Sequence, residues 1–338
     1  MATIDIFNND AFSLVSMTNA VEKIPFKPSL LGSMALFTTV PVSTLTVAVE
    51  RLSNTLSIIQ TSERGAPPST QNKIRPDIRD FRTVRLYKQD TLYSHEIQNV
   101  RAFGTESELQ TMQGVVARRQ QRLKNDLELT RERHRLGAIN GIVLDADGSV
   151  IRNYYTEFGL SQPAEITFSN AAVTAAGDMR TFLAKNLVRP MMRALGQEMP
   201  GVEIVALVGD DFYDWLVSHA DVVKTFLNWQ AATELRNGTA FGEFGFGGIR
   251  WINYRGTDDQ TTVGVAANKA RFFLRGVPDL FQTAQSPGES FEMANTMGRE
   301  MYSMVLPDMK RNAFVEIEVV TYPLDICTRP ETLLRGTL

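Results

Sequence analysis

Cysteine is nearly absent from this chain of 338 residues. Cys327 is the only one, so an internal disulfide is excluded. A lone cysteine is most often a small buried side chain, and we expect Cys327 to pack in the core rather than to react. This scarcity fits a protein that folds in a reducing cytosol and whose assemblies are held by non-covalent contacts.

Long apolar runs and an excess of charge of one sign are also missing. No apolar run approaches the ~20 residues of a membrane span, and the N-terminal sequence lacks the basic and apolar regions of a secretory leader. We therefore expect no membrane association. The formal net charge is −3, so any basic surface that attracts nucleic acid must be local.

Motifs for metals and phosphates are sparse as well. His95, His134 and His219 lie far apart without HxxxH or CxxC spacing, which excludes the usual zinc sites. We expect His134 to be a hydrogen-bonded packing residue. The segment GEFGFGG, from Gly242, lacks the Lys-Ser/Thr of a phosphate-binding loop. It predicts a flexible loop, and we expect neither a cofactor nor a metal.

The most prominent pattern is a helix predicted over residues 106–140. Apolar residues recur along it near the helical period, and at this length it would span about 50 Å. We expect its other face to be too polar for complete burial, because it carries many charges: Arg118, Arg119, Arg122, Lys124, Glu128, Arg131, Glu132, Arg133 and Arg135. Such a strut suits a structural protein better than a catalytic pocket.

Strand patterns flank a turn-forming segment earlier in the chain. Apolar residues alternate from Ser43 onward, residues 63–73 hold Gly and two Pro, and residues 80–93 are again rich in β-branched and aromatic residues. These patterns predict a long two-stranded hairpin that extends from the body of the protein over residues 43–93. Because isolated hairpins are marginal in water, we expect it to be stabilised by lying on another molecule.

The remaining segments mix helices and strands, which indicates an α+β protein. A hairpin is predicted over residues 142–155, with its turn at Asp147-Gly148. The one compact α/β unit is predicted from residue 176 to about 290, with helices over residues 178–195, 212–217 and 222–229 and strands over residues 202–208, 249–254 and 263–273. Residues 315–319 alternate Val or Ile with Glu, which predicts a strand with one solvent-facing side.

Two acidic motifs allow an enzymatic alternative. Asp145 and Asp147 in IVLDADGSV, with Asp210 and Asp214 in GDDFYD, resemble motifs of haloacid-dehalogenase-type phosphatases. In that Mg²⁺-dependent chemistry Asp145 would attack phosphorus and Lys185 would stabilise charge. The same residues equally suit a hairpin turn and an N-cap or acidic first turn of a helix. The long charged helix before Asp145 favours this structural interpretation.

The predicted hairpin contains a set of basic residues, here called the basic set: Lys73, Arg75, Arg79, Arg82, Arg85 and Lys88. Such clusters can bind phosphates. This one is diluted by Asp77 and Asp80 and has few aromatic residues for base stacking. We therefore favour contacts between subunits over a nucleic-acid site.

The order of these parts, with the local sequence, resembles the lambda-type major capsid protein E family of tailed bacteriophages. The resemblance covers nearly the whole chain, and it is most specific at DADGSV after the long helix and at the ending PLDICTRPETL. It implies the Hong Kong ninety-seven type capsid fold. Encapsulin compartments share this fold, so an encapsulin-like compartment shell protein is a further alternative. The expected parts are an N-terminal arm over 1–35, an E-loop over 36–95, a P-domain over 96–175 with spine helix 106–140, an A-domain over 176–295, and P-domain strands over 296–338.

The resemblance also implies a function and partners. Copies of the chain would form the hexamers and pentamers of an icosahedral virion capsid that is assembled in the host cytoplasm and encloses double-stranded DNA through non-specific contacts. A portal and, in some relatives, a decoration protein would accompany it. Because the sequence begins directly with the arm, we expect the scaffolding protein to be a separate chain.

Overall fold

The structure is a computed structural model that describes residues 30–51, 77–97, 108–196, 201–227, 242–257, 263–311 and 313–338. The expected arm up to residue 29, the turn-forming tip at 63–73 and the end of the predicted helix at Trp229 lie outside these residues. The helices are α1 Leu30–Ser33, α2 Ser94–Ile97, α3 Glu108–Asn140, α4 Tyr154–Glu157, α5 Asn170–Ala176, α6 Met179–Leu183, α7 Arg189–Leu195, α8 Asp210–Ser218 and α9 Ala220–Leu227.

The strands complete the fold class expected from the sequence, α+β. They are β1 Thr38–Pro41, β2 Thr46–Arg51, β3 Asp77–Arg82, β4 Leu86–Tyr93, β5 Ile142–Leu144, β6 Val150–Asn153, β7 Ile166–Thr167, β8 Glu203–Val208, β9 Glu243–Phe246, β10 Ile249–Asn253, β11 Lys269–Arg275, β12 Phe281–Gln285, β13 Tyr302–Pro307, β14 Phe314–Thr321, β15 Pro323–Cys327 and β16 Leu334–Thr337.

The long helix is confirmed as α3, which runs for 33 residues. Val116, Leu123 and Leu127 are buried against β4 and β14. The expectation of a solvated charged face is wrong for the C-terminal half of α3. There Lys124, Glu128, Arg131, Glu132 and Arg135 are all buried, because other parts of the chain cover the helix on that side as well.

The largest sheet has six strands in the order β7-β16-β11-β8-β10-β9. Its central strand β8 is buried from Ile204 to Val208, which confirms the strand predicted over residues 202–208. The apolar side chains of this sheet and of the helices beside it form the main core of the molecule. The sheet draws most strands from the predicted A-domain, but β7 and β16 come from outside residues 176–295.

The glycine-rich segment GEFGFGG is not a flexible loop, as we had expected, but a strand and a tight turn. Phe244 and Phe246 alternate inward along β9, and β9 pairs with β10 in an antiparallel ladder. Gly247 and Gly248 both have positive φ, 65° and 79°. Two consecutive residues of this kind are what a type I′ hairpin turn requires.

The helix predicted over residues 178–195 is confirmed, with a wider turn at its centre. α6 continues through a π-helical turn, Ala184–Val188, into α7. Pro190 lies at the start of α7 and has no N–H to donate to the preceding turn. Met179, Phe182, Leu183, Leu187 and Met191 are buried against the six-stranded sheet, as their spacing predicts.

The prediction of one long two-stranded hairpin over residues 43–93 is correct only in part, because its strands belong to different small sheets. β2 and β3 do form a two-stranded ribbon, but β4 leaves it and pairs with β14 in the sheet β13-β14-β4. β1 lies beside β12 in the sheet β1-β12-β15. The Asp147-Gly148 hairpin is confirmed as β5 and β6.

Candidate interaction surfaces

The β2–β3 ribbon is attached to the rest of the molecule at its base. Phe81 is buried and packs against Tyr154 and Phe158, with ring centroids 6.3 and 5.7 Å away. The Arg152 guanidinium donates a hydrogen bond to the carbonyl of Arg82 at 2.9 Å. The Arg79 and Arg82 residues on β3 are exposed. The ribbon therefore presents basic groups from a firmly held base.

The two remaining described members of the basic set, Arg85 and Lys88, lie on β4 instead of the ribbon. Arg85 Nε pairs with Glu289 at 3.1 Å, and Lys88 Nζ pairs with Asp126 of α3 at 2.5 Å. These carboxylates belong to the same chain. The structure thus separates Arg79 and Arg82 from Arg85 and Lys88, while Lys73 and Arg75 lie outside the described residues.

A buried ionic cluster on α3 was not foreseen from the sequence. Arg131 Nη1 contacts Glu128 Oε1 and Glu300 Oε1, each at 2.7 Å. Arg135 lies 3.8 Å from Glu128 and 3.7 Å from Glu132. Burial opposes the charge of Arg131, yet the carboxylates of Glu128, Asp325 and Glu300 outweigh burial and raise its pKa.

Glu132 connects this ionic cluster to two other parts of the molecule. Its Oε1 accepts hydrogen bonds from the backbone N–H of Leu31 at 2.8 Å and from the Tyr254 hydroxyl at 3.2 Å. Leu31 lies in α1, the first described element, and Tyr254 follows β10 of the six-stranded sheet. One buried carboxylate therefore joins three segments that are distant in sequence, and no local pattern could reveal this.

His134 and Cys327 are both buried, as expected. Burial lowers the pKa of His134 and raises the pKa of the Cys327 thiol to about 12. The expected hydrogen bond of His134 is not found at Nε2, which has no partner among the described residues. Neither side chain is placed to react from the surface.

The acidic residues of the phosphatase alternative lie in different elements. Asp147 sits in the β5–β6 turn, where its Oδ1 accepts hydrogen bonds from the N–H and hydroxyl of Ser149, and these bonds lower its pKa. Asp145 precedes it in the same turn. Asp210 and Asp214 lie on α8, after the central strand of the six-stranded sheet. Among the described residues, no group of three or more His, Cys, Asp or Glu side chains could hold a metal ion.

The structural interpretation of Asp210 needs one correction. The N-cap of α8 is Gly209, while Asp210 and Asp211 occupy the first turn. Glycine is required at residue 209 because a Cβ there would lie 2.2 Å from the carbonyl oxygen of Ala266. The two aspartates still favour the positive end of the helix dipole.

Several large apolar side chains remain exposed between β12 and β14. Phe291 is fully exposed, and Met297 and Met309 are exposed to 64% and 80%. Single exposed apolar residues are common, and these three are candidates for contact with a protein partner. In the described part of the chain, no helix is long and apolar enough to cross a membrane.

Comparisons with known proteins agree on one family. A family model described as phage major capsid protein E matches residues 13–338. The chain is 25% identical to a major capsid protein of Salmonella phage Felix O1, over 96% of this chain and 95% of the relative. It is also 25% identical to a major capsid protein of Pseudomonas phage KPP10, over 96% of each chain.

A solved structure with the same fold is described as the putative capsid protein of a prophage of E. coli CFT073. The TM-score is 0.52 at 11% identity, with coverage of 96% of this chain and 98% of that chain. At this identity the likeness shows the fold alone. The fold is the Hong Kong ninety-seven type expected from the sequence.

Proposed function

This chain belongs to the phage major capsid protein E family, and we propose that its copies assemble into hexamers and pentamers that close an icosahedral shell around double-stranded DNA. Its function is that of a phage major capsid protein. Of the alternatives raised by the sequence, the phosphatase is disfavoured because Asp145 and Asp147 lie in the turn of a separate two-stranded sheet and not at the end of a strand of the main sheet. The encapsulin compartment is disfavoured by relatives that are phage capsid proteins. The shell protein needs no catalytic turnover.

The observation that carries the proposal is the two-stranded β2–β3 ribbon. Among the ribbon residues whose burial the structure describes, Phe81 at the base is the only buried one, and β2 and β3 pair with no other described strand. Two-stranded ribbons are marginal by themselves. A neighbouring subunit that covers the ribbon would supply the missing burial, and the exposed Phe291 and Met309 offer further surface for such contacts.

The partners follow from this role. We place the chain in the virion capsid, assembled in the host cytoplasm, with a portal and a separate scaffolding protein, and with a decoration protein on the outer surface in those relatives that use one. DNA would be held by non-specific contacts with its phosphates. The candidates for contacts between subunits remain Lys73, Arg75, Arg79 and Arg82, whereas Arg85 and Lys88 already pair within the subunit.

Electron microscopy and sedimentation velocity of the purified chain test the proposal. We expect closed particles, or particles of irregular size if the scaffolding protein is needed for curvature. A folded monomer that forms no large particles under any near-physiological condition, with or without a scaffolding protein, would contradict shell formation.

A further inference from the structure

The helix formed by α6, the π-helical turn and α7 carries an exposed basic stripe, defined as Lys185, Arg189 and Arg193. All three residues are exposed. Between Met179 and Gly196 the sequence contains no acidic residue at all. The opposite face of this helix is buried in the main core, and this packing fixes the position of the stripe.

The π-helical turn brings the first two cations, Lys185 and Arg189, into line along the helix. On an α-helix, each step of four residues drifts by about 40° around the axis, so three such residues would spiral away from one line. The wider π turn, in which the Arg189 N–H donates to the carbonyl of Ala184, rotates less per residue and offsets this drift. Lys185 and Arg189 therefore lie nearly in line, Arg193 follows one α-helical step of four residues further on, and the stripe is about 12 Å long at 1.5 Å per residue.

The stripe also lacks the partners that other cations of this domain have. Arg250 pairs with Glu243 and Glu203, and Lys269 pairs with Glu165. In the ranges that the structure describes, Lys185, Arg189 and Arg193 pair with no carboxylate. At the C-terminal end, Arg329 donates to the carbonyl of Leu195 at 2.7 Å and so adds a further positive charge.

We propose that this basic stripe binds the phosphate backbone of double-stranded DNA without sequence preference. Duplex DNA presents one negative charge per about 1.7 Å of its axis, so a 12 Å stripe faces about seven phosphate charges. A protein partner is less suitable, because protein interfaces have an apolar centre, whereas the large apolar residues of this helix face the core. The proposal rests on the proposed capsid function, since it names the surface that meets the packaged DNA.

The test compares two triple variants of the full chain that change net charge equally. One is Lys185→Gln with Arg189→Gln and Arg193→Gln. The control is Arg122→Gln with Lys310→Gln and Arg311→Gln, three exposed cations elsewhere. Binding of the unassembled chain to a random-sequence DNA duplex is measured by fluorescence anisotropy between 50 and 200 mM salt, and shell formation is followed by electron microscopy.

We expect the stripe variant to bind at least about tenfold more weakly, and the slope of log K against log salt to fall by about 2 to 3, since each lost phosphate contact removes about 0.9. The control variant should keep the DNA affinity and the salt slope of the unaltered chain. The stripe variant and the control variant should both form shells. Unchanged affinity and slope in the stripe variant would overturn the proposal. So would a stripe variant that binds DNA normally but forms no shells, which would make the stripe a contact between proteins.

This design separates the two proposals. DNA binding is measured on the unassembled chain, so it does not depend on shell formation. Suppose that the unaltered chain forms no shells but binds DNA, and that the stripe variant binds DNA more weakly while the control variant does not. The capsid proposal then fails, while the basic stripe remains a DNA-binding surface.

Discussion

Arg131 holds a positive charge at a site where only 2% of the residue is exposed. Its partner Glu128 is buried too, while the Glu300 side chain is 58% exposed. The Arg131–Glu128 pair is therefore the part of the ionic cluster that solvent screens least. Removing Arg131 leaves Glu128 buried with only the longer contact to Arg135 at 3.8 Å, which is far more costly than losing an exposed pair.

We predict that Arg131→Met lowers the free energy of unfolding by about 3 to 5 kcal/mol. The matched control is Arg85→Met, which removes an exposed pair with Glu289 and should cost at most about 1 kcal/mol. Urea unfolding of the unassembled chain gives both values. Equal losses in the two variants would mean that the buried cluster contributes no more than a surface pair.

His134 makes stability depend on pH. Its pKa in the folded chain is lowered by burial, so the unfolded chain binds a proton more readily. Stability from this residue is then complete above the ordinary histidine pKa of about 6.5 and falls as pH drops below it.

We expect the urea midpoint of the unassembled chain to fall between pH 7 and pH 5, and His134→Gln to flatten that part of the profile. His95→Gln is the control, because His95 is exposed. A profile in His134→Gln as steep as that of the unaltered chain would assign the pH dependence to other groups.

At the scale of elements, close backbone packing fixes the start of α8. A Cβ on Gly209 would meet the Ala266 carbonyl oxygen at 2.2 Å and the Ala267 Cα at 2.6 Å. Backbone atoms cannot move aside as a flexible side chain can. Gly245 on β9 differs, because a Cβ there meets nothing within 4 Å.

Gly209→Ala should therefore destabilise the chain by about 1 to 3 kcal/mol, the usual cost of overpacking. Gly245→Ala should change stability by less than about 1 kcal/mol, because it adds only a methyl group to an open strand position. Urea midpoints of the two variants decide the question. A Gly245→Ala loss as large as that of Gly209→Ala would show that backbone clash is not the cause.

The β5–β6 hairpin is the element on which the enzymatic alternative depends. The Asp145 backbone carbonyl accepts a hydrogen bond from the Gly148 N–H. Its Oδ1 accepts a second one from the Ala146 N–H, and the amide oxygen of Asn can accept that bond as well. We expect Asp145→Asn to assemble like the unaltered chain and both proteins to lack phosphatase activity. Mg²⁺-dependent hydrolysis of a phosphomonoester that disappears in Asp145→Asn would contradict this.

Sequence periodicity predicted the elements whose apolar residues face one core. Leu123 and Leu127 on α3, and Phe182 and Leu187 on the helix beyond Asp178, are buried at the positions that their spacing indicates. In GEFGFGG the glycines concealed a two-residue alternation of Phe244 and Phe246. Composition alone suggested a loop, because glycine is common both in mobile segments and in tight turns.

Contacts between distant segments were beyond prediction. Arg131 meets Glu300 from 169 residues away, and Tyr254 meets Glu132 from 122. Likewise β4 pairs with β14, where Tyr87 donates to Glu318 across 231 residues. The pattern of α3 showed which residues carry charge, but not that other segments bury them. The basic set was therefore predicted as one surface, although the fold divides it.

At the scale of the whole molecule, the division of the basic set between the ribbon and β4 allows a test of how subunits contact each other. Arg82 and Arg85 are only three residues apart and both are exposed. Arg85 pairs with Glu289 of its own chain, whereas Arg82 lies on the ribbon and, in the described part of the chain, its side chain meets no carboxylate. If the ribbon lies on a neighbouring subunit, only Arg82 is free to pair with that neighbour.

We predict that Arg82→Glu prevents or misdirects shell formation, while Arg85→Glu assembles with at most a small loss of subunit stability. An exposed pair contributes only about 0.2 to 1 kcal/mol, but a shell repeats the contact at every subunit, and a reversed charge turns each attraction into repulsion. Circular dichroism should show both variants folded, and electron microscopy should distinguish their particles. Normal shells from Arg82→Glu at both low and high salt would show that the ribbon is not held to its neighbour by charge.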